Sequence, residues 1–198
     1  MSELLTYIQL GFRHIVDVGA LDHILFLVAL AAIYRPRDWR GALWVASAFT
    51  VGHSITLALA ATGTLDLPTP LIEFLIPITI VATAVENLVV RRQAAAGGRR
   101  WRPVFAGVFG LVHGAGFANY LRSLFVTQVA LPLFGFNVGI ELGQLLVLAA
   151  AAPLLGVVDR AFASLAPPSR SPLRLRVVTV SALVAVVAAR WAVERAPW

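Results

Sequence analysis

Six apolar runs, each near the length of a membrane-spanning helix, alternate along the chain with short polar or arginine-rich connections. They predict helices at about 20–34, 41–62, 70–91, 103–121, 131–158 and 173–193, because roughly 20 apolar residues rising 1.5 Å each cross a hydrocarbon core about 30 Å thick. Residues 2–16 add a shorter amphipathic segment with Leu5, Ile8 and Phe12 at helical spacing. It is expected to lie in the membrane interface or to continue the first span, with Gly11 and Gly19 as bends.

Composition excludes a soluble domain. The chain is 59% hydrophobic and 13% charged, with mean hydropathy +0.83, against about 45–50% and about 25% for ordinary globular proteins. The expected fold is an all-α integral membrane protein, a single transmembrane domain over 1–198 built as one bundle of six helices. The net charge of +6 sits in arginines between the runs. Arg35, Arg37 and Arg40 fall in the first connection, Arg91, Arg92, Arg99, Arg100 and Arg102 in the third with Gly97-Gly98, and Arg160, Arg170, Arg174 and Arg176 around the fifth. The second connection, TGTLDLPTP, has no basic residue and the fourth has Arg122. Basic loops stay cytoplasmic, so both termini are expected on the outer side, with the bacterial inner membrane as location. Arginines at that level meet lipid headgroups, not nucleic acid. The N-terminus lacks the basic and apolar regions of a cleavable signal and reads as part of the mature protein. The chain has no cysteine, which rules out disulfides, thiolate metal sites and cysteine nucleophiles.

Against this background every ionisable residue within a span needs a reason, since placing one in hydrocarbon costs a few kcal/mol. Asp22 and His23 lie in the first span, His53 in the second, Glu86 in the third, His113 in the fourth and Glu141 in the fifth, with His14 and Asp17 just before the first. Helical rise puts His53, His113 and Glu141 at one level, roughly 12–15 Å below the outer ends of their helices, with His23 above and Glu86 below. Asn137, Glu141 and Gln144 share one face of the fifth span, and Gly135, Gly139 and Gly143 form a separate stripe suited to close helix packing within the chain or between copies. Thr79, Thr83, Glu86 and Asn87 share a face of the third span, and His113 sits inside Gly110-x-x-x-Gly114.

Imidazoles and carboxylates without thiolate or thioether suit a divalent transition metal such as Ni, Co, Zn, Fe or Mn, and disfavour Cu(I). His14, Asp17, Asp22, His23, His53, His113 and Glu141 are the candidate ligands. Asp22, Ser54, Asn137 and Gln144 could orient them, and Glu86 with Asn87 could relay a cation or proton. Ligands on separate helices can part again, as transport requires. The competing chemistry is an intramembrane metal-dependent hydrolase using the same His, Asp, Ser and Glu residues; a metal-sensing or scaffolding subunit is a third reading.

The segments HIVDVGALDHILFLVAL, FTVGHSITLALAATG, ATAVENLV, FGLVHGAGFA and FNVGIELGQ run in order from about residue 11 to 147, and in them the chain resembles the HupE/UreJ family in its shorter form. The resemblance implies transport of nickel, cobalt or another transition metal, here with uptake as the expected direction. Related nickel/cobalt permeases carry His, four residues, then Asp-His in the first helix. In this sequence Asp17 stands where the first His would be, before Asp22-His23, and His14 lies one turn earlier. His14 could take that role only if its segment is helical.

Overall fold

The computed structural model describes residues 2–19, 21–35, 38–65, 68–89, 101–124, 129–165, 167 and 170–198, with side chains in the fifth helix as far as Phe117. Arg37, Arg91, Arg92, Arg99, Arg100, Gly97 and Gly98, and the Arg122 side chain, lie outside the described residues. The described residues form seven α-helices and no strand: α1 Glu3–Val16, α2 Asp22–Ala31, α3 Trp39–Ala61, α4 Thr69–Val89, α5 Arg102–Leu124, α6 Ala130–Leu165 and α7 Pro172–Glu194. Among them α3, α4, α6 and α7 are long and apolar enough to cross a membrane.

The amphipathic segment and the first apolar run are separate helices, and the chain bends at Gly19 as expected but runs straight on as helix through Gly11. After Val16 the Asp17 carboxylate accepts the Gly19 N–H at 2.8 Å and Val18 is 80% exposed, and the expected 20–34 helix is reduced to Asp22–Ala31. Asp17 prefers this local turn to a helical position because its short side chain satisfies the backbone two residues on. At the other extreme α6 runs 36 residues, past Pro153, well beyond the expected end near 158. α3 ends on a Schellman turn: Gly63 adopts φ 72°, its N–H reaches the Ala60 carbonyl, and Thr64 N–H reaches Leu59.

The helices associate in three pairs, α3 with α5, α1 with α6 and α4 with α7. Glycine sets the first two. A Cβ on Gly110 would fall on the Phe49 carbonyl and one on Gly52 on the Gly107 carbonyl, while Gly11 and Gly139 stand in the same relation to the Phe136 and Ile8 carbonyls. Backbones at this distance gain dispersion along their whole length, which substitutes for a hydrophobic drive that lipid does not supply. The register also fixes direction. Leu4, Ile8 and Ile15 meet Gly135, Gly139 and Gly143 in turn, and Phe49 and His53 meet Gly110 and Gly114, so both pairs are parallel. The amphipathic segment is therefore a packed helix of the bundle. The glycine stripes are consumed within the chain, which removes them as a basis for homo-oligomer contacts.

Two arginines read from the sequence as connection charges are buried instead. Arg102, 4% exposed, holds Glu86 at 2.5 Å and the Asn87 Oδ1 at 3.0 Å; Asn87 in turn donates to the Ala29 carbonyl at 2.7 Å and to Ser181 at 3.2 Å. Arg176, 2% exposed, donates to Asp159 at 2.5 Å and to the Ala32 and Tyr34 carbonyls. The carbonyls at the end of a helix have no partner in their own helix. These two networks supply partners for the end of α2 and tie it to α4, α5, α6 and α7.

Candidate metal centre

α1 ends and α2 begins at the break, which brings His14 in the last turn of α1 beside His23 in the first turn of α2, ring centroids 4.5 Å apart. α3 adds His53, 5.7 Å from His14 and 6.1 Å from His23, and α5 adds His113, 5.2 Å from His23. The α3–α5 glycine contact makes this possible, because Gly114 lies against the His53 backbone and leaves both imidazoles facing the same space. All four histidines of the chain thus converge from four helices.

His23, His53 and His113 are buried. Six ring nitrogens have no hydrogen-bond partner among the described residues: His14 Nε2, both of His23, both of His53 and His113 Nδ1. Each buried polar atom left without a partner costs about 1–3 kcal/mol, so a cluster of this kind calls for a cation or water. One nitrogen each from His14, His23 and His53 lie within 4.8 Å of one another and could hold a metal ion. A tetrahedral site with bonds of about 2.0–2.1 Å needs nitrogens about 3.3 Å apart, a spacing that lies inside this limit. His113 is oriented by Thr79, whose hydroxyl donates to the Ile76 carbonyl at 2.7 Å and lies 2.9 Å from His113 Nε2. With its one proton on that carbonyl, the hydroxyl accepts Nε2–H, which leaves the Nδ1 lone pair free toward the cluster.

Four phenylalanines enclose the imidazoles. Phe117 lies 4.1 Å from His14, Phe136 5.6 Å from His14, Phe49 5.0 Å from His113 and Phe26 5.7 Å from His113. Sequence reasoning did not single them out, although the signal is present: Phe26, Phe49 and Phe117 stand three or four residues from His23, His53 and His113, on the same helical faces. They make the surroundings apolar and strengthen any charge interaction inside.

The remaining candidates have other partners. Asp17 caps Gly19, and Asp22 pairs with Arg195 at 3.3 Å instead of a histidine. Glu141 accepts from Ser47 at 3.3 Å, and Gln144 accepts from Thr50 at 3.2 Å, forming a polar seam between α3 and α6. Asn137 Oδ1 and Gln144 Nε2 are buried without partners. Ser54 donates to the Thr50 carbonyl within its own helix at 2.6 Å. Glu86 and Asn87 are engaged with Arg102, which places a guanidinium where a relayed cation would have to sit. The expected order of levels is thus changed: His23 joins His53 and His113, and Glu141 belongs with Ser47. A cleft of about 440 Å³ lined by Leu10, Arg13, His14, Val16, Asp17 and Phe117 opens at the helix break.

Apolar helices of membrane-spanning length around a buried histidine cluster define an integral membrane protein with a candidate metal site. The model of the HupE/UreJ protein family matches residues 1–195, and the chain belongs to that family. No curated protein and no solved structure matches it.

Proposed function

We propose that this protein carries a divalent transition-metal cation, nickel or cobalt among the candidates, across the bacterial inner membrane, in the direction of uptake. The single observation that supports this is the set of six unpartnered imidazole nitrogens converging from α1, α2, α3 and α5. In this reading residues 1–198 form one domain of six spans, with α1 and α2 together making a discontinuous first span. Both termini face outward, and the end carrying Arg35, Arg40, Arg160 and Arg170 faces the cytoplasm. Broken helices at mid-membrane are where transporters commonly place ion sites, because separate half-helices can move apart.

The cation enters by the cleft at the break, which His14 and Asp17 line. His14, His23 and His53 take it as ligands, and His113, held by Thr79, closes the coordination. Because these ligands come from four separate helices, they can part again and release the ion, as a permease needs. The Thr50–Gln144 and Ser47–Glu141 seam gives the next polar groups along the α3–α6 interface, with Glu141 as the carboxylate that draws the ion onward.

Purified protein in proteoliposomes containing a metal-sensitive dye is expected to accumulate at least one of Ni, Co, Zn, Fe and Mn under an imposed gradient, and His53→Ala is expected to abolish it. Uptake equal to empty liposomes for all five metals would refute transport. Metal content unchanged in both His53→Ala and His113→Ala would remove the histidine cluster from the account.

A further inference from the structure

The bundle carries a second concave feature, remote from the histidines, at the arginine-rich end. A groove of about 350 Å³ runs between the end of α2, the start of α3 and the middle of α6, and its walls are Ala31, Leu43, Leu145, Leu148, Ala149 and Ala152. Its mouth is Tyr34, Arg35, Trp39 and Arg176. Arg35 also lines an adjoining cleft of about 650 Å³ that contains Arg160, Asp159 and Ser171. An apolar slot and a cationic cleft therefore meet at one side chain.

The charges at this mouth do not balance. Asp159 is engaged with Arg176 at 2.5 Å, and Arg35 is close enough to Arg176 to repel it. Among the described residues neither Arg35 nor Arg160 has an ion-pair partner, and both are exposed. Trp39, the first residue of α3, is 55% exposed with the Arg40 guanidinium 5.6 Å from its ring centre, an arrangement typical of headgroup depth. The slot thus starts at headgroup level and continues into the hydrocarbon.

We infer that this groove is a binding site for an anionic phospholipid, with one acyl chain between α3 and α6 and its phosphodiester on Arg35 and Arg160. A free phosphate satisfies the arginines but leaves the slot unfilled, and a zwitterionic lipid fills the slot but brings a cation to an already cationic mouth. Only an anionic lipid matches both halves, and a slot of this volume is of the size that binds small apolar ligands.

The test uses the full chain, delipidated in detergent, with phosphatidylglycerol, phosphatidylcholine of the same acyl chains, or inorganic phosphate added. Native mass spectrometry reads retained lipid and thermal unfolding reads the midpoint shift. Phosphatidylglycerol is expected to be retained and to raise the midpoint, with the other two giving little. Arg35→Gln is expected to lower phosphatidylglycerol retention roughly fivefold, and adding Arg160→Gln to lower it by about as much again. Ala149→Trp, on an exposed position of α6, is expected to block the slot with both arginines intact, and Ala152→Trp repeats the test one turn on should the first fail to fold. Equal retention of phosphatidylcholine, a full midpoint shift from phosphate alone, or unchanged retention in both the arginine and the tryptophan variants would overturn the assignment.

Discussion

Gly110→Ala tests whether the histidine geometry depends on the α3–α5 backbone contact. The added Cβ would fall on the Phe49 carbonyl oxygen, 2.9 Å from the His53 nitrogen and 2.9 Å from the Phe49 carbonyl carbon. Both neighbours are backbone, so neither can swing aside, and the helices must separate by about 1 Å to restore ordinary contact. Overpacking of this kind costs about 1–3 kcal/mol, against a gain of about 1 kcal/mol from replacing glycine in a helix. Part of that strain reaches the rings, because His53 and His113 are carried by the two separated helices, and about 1.4 kcal/mol of it is a tenfold loss in metal affinity. Two other glycines serve as controls. At Gly107 the new Cβ meets the Ala48 carbonyl at an ordinary 3.5 Å, and at Gly156 it meets nothing within 4 Å. Gly107→Ala and Gly156→Ala are expected to hold or raise the unfolding midpoint and to keep metal affinity, measured by thermal denaturation in detergent and metal titration. If Gly110→Ala behaved like these two, the claim that close backbone packing sets the site would be wrong.

Thr79→Val keeps the shape of the side chain but removes the group that orients His113, so metal affinity is expected to fall about 10–100-fold with little loss of helicity; equal affinity by titration would show the hydroxyl to be incidental. His14→Ala is expected to lose bound metal in elemental analysis while Asp17→Ala retains it, because the imidazole faces His23 and the carboxylate caps Gly19; the reverse result would restore Asp17 as ligand. Arg176→Met strands Asp159 and the Ala32 and Tyr34 carbonyls, for an expected loss of about 3 kcal/mol in denaturant stability, the low end for a broken buried pair because Asp159 keeps 31% exposure; a change under about 1 kcal/mol would mean water replaces the guanidinium.

The sequence by itself determined the solvent and the chemistry. Apolar runs of bilayer length leave helices as the economical way to satisfy backbone groups in lipid, and the four helices of clear spanning length all fall on such runs. The polar residues within them are equally legible, since each is costly in hydrocarbon, and His14, His23, His53 and His113 stand out on that ground alone. The Gly135, Gly139 and Gly143 stripe announced a close neighbour, though not that α1 would be that neighbour.

Tertiary structure decided which of these residues meet. Rise along separate helices estimates depth, and the bend at Gly19 is readable from the chain, but only the packed structure shows that the Asp17–Gly19 turn brings His14 and His23 together at the junction of α1 and α2. It also decided which carboxylates are committed to arginines: Asp22 to Arg195, Glu86 to Arg102 and Asp159 to Arg176, partners 16 to 173 residues apart that no local spacing connects. Composition states how many charges a membrane protein must shelter. The way they pair depends on helix rotation and register, and those follow from glycine contacts between segments distant in the chain.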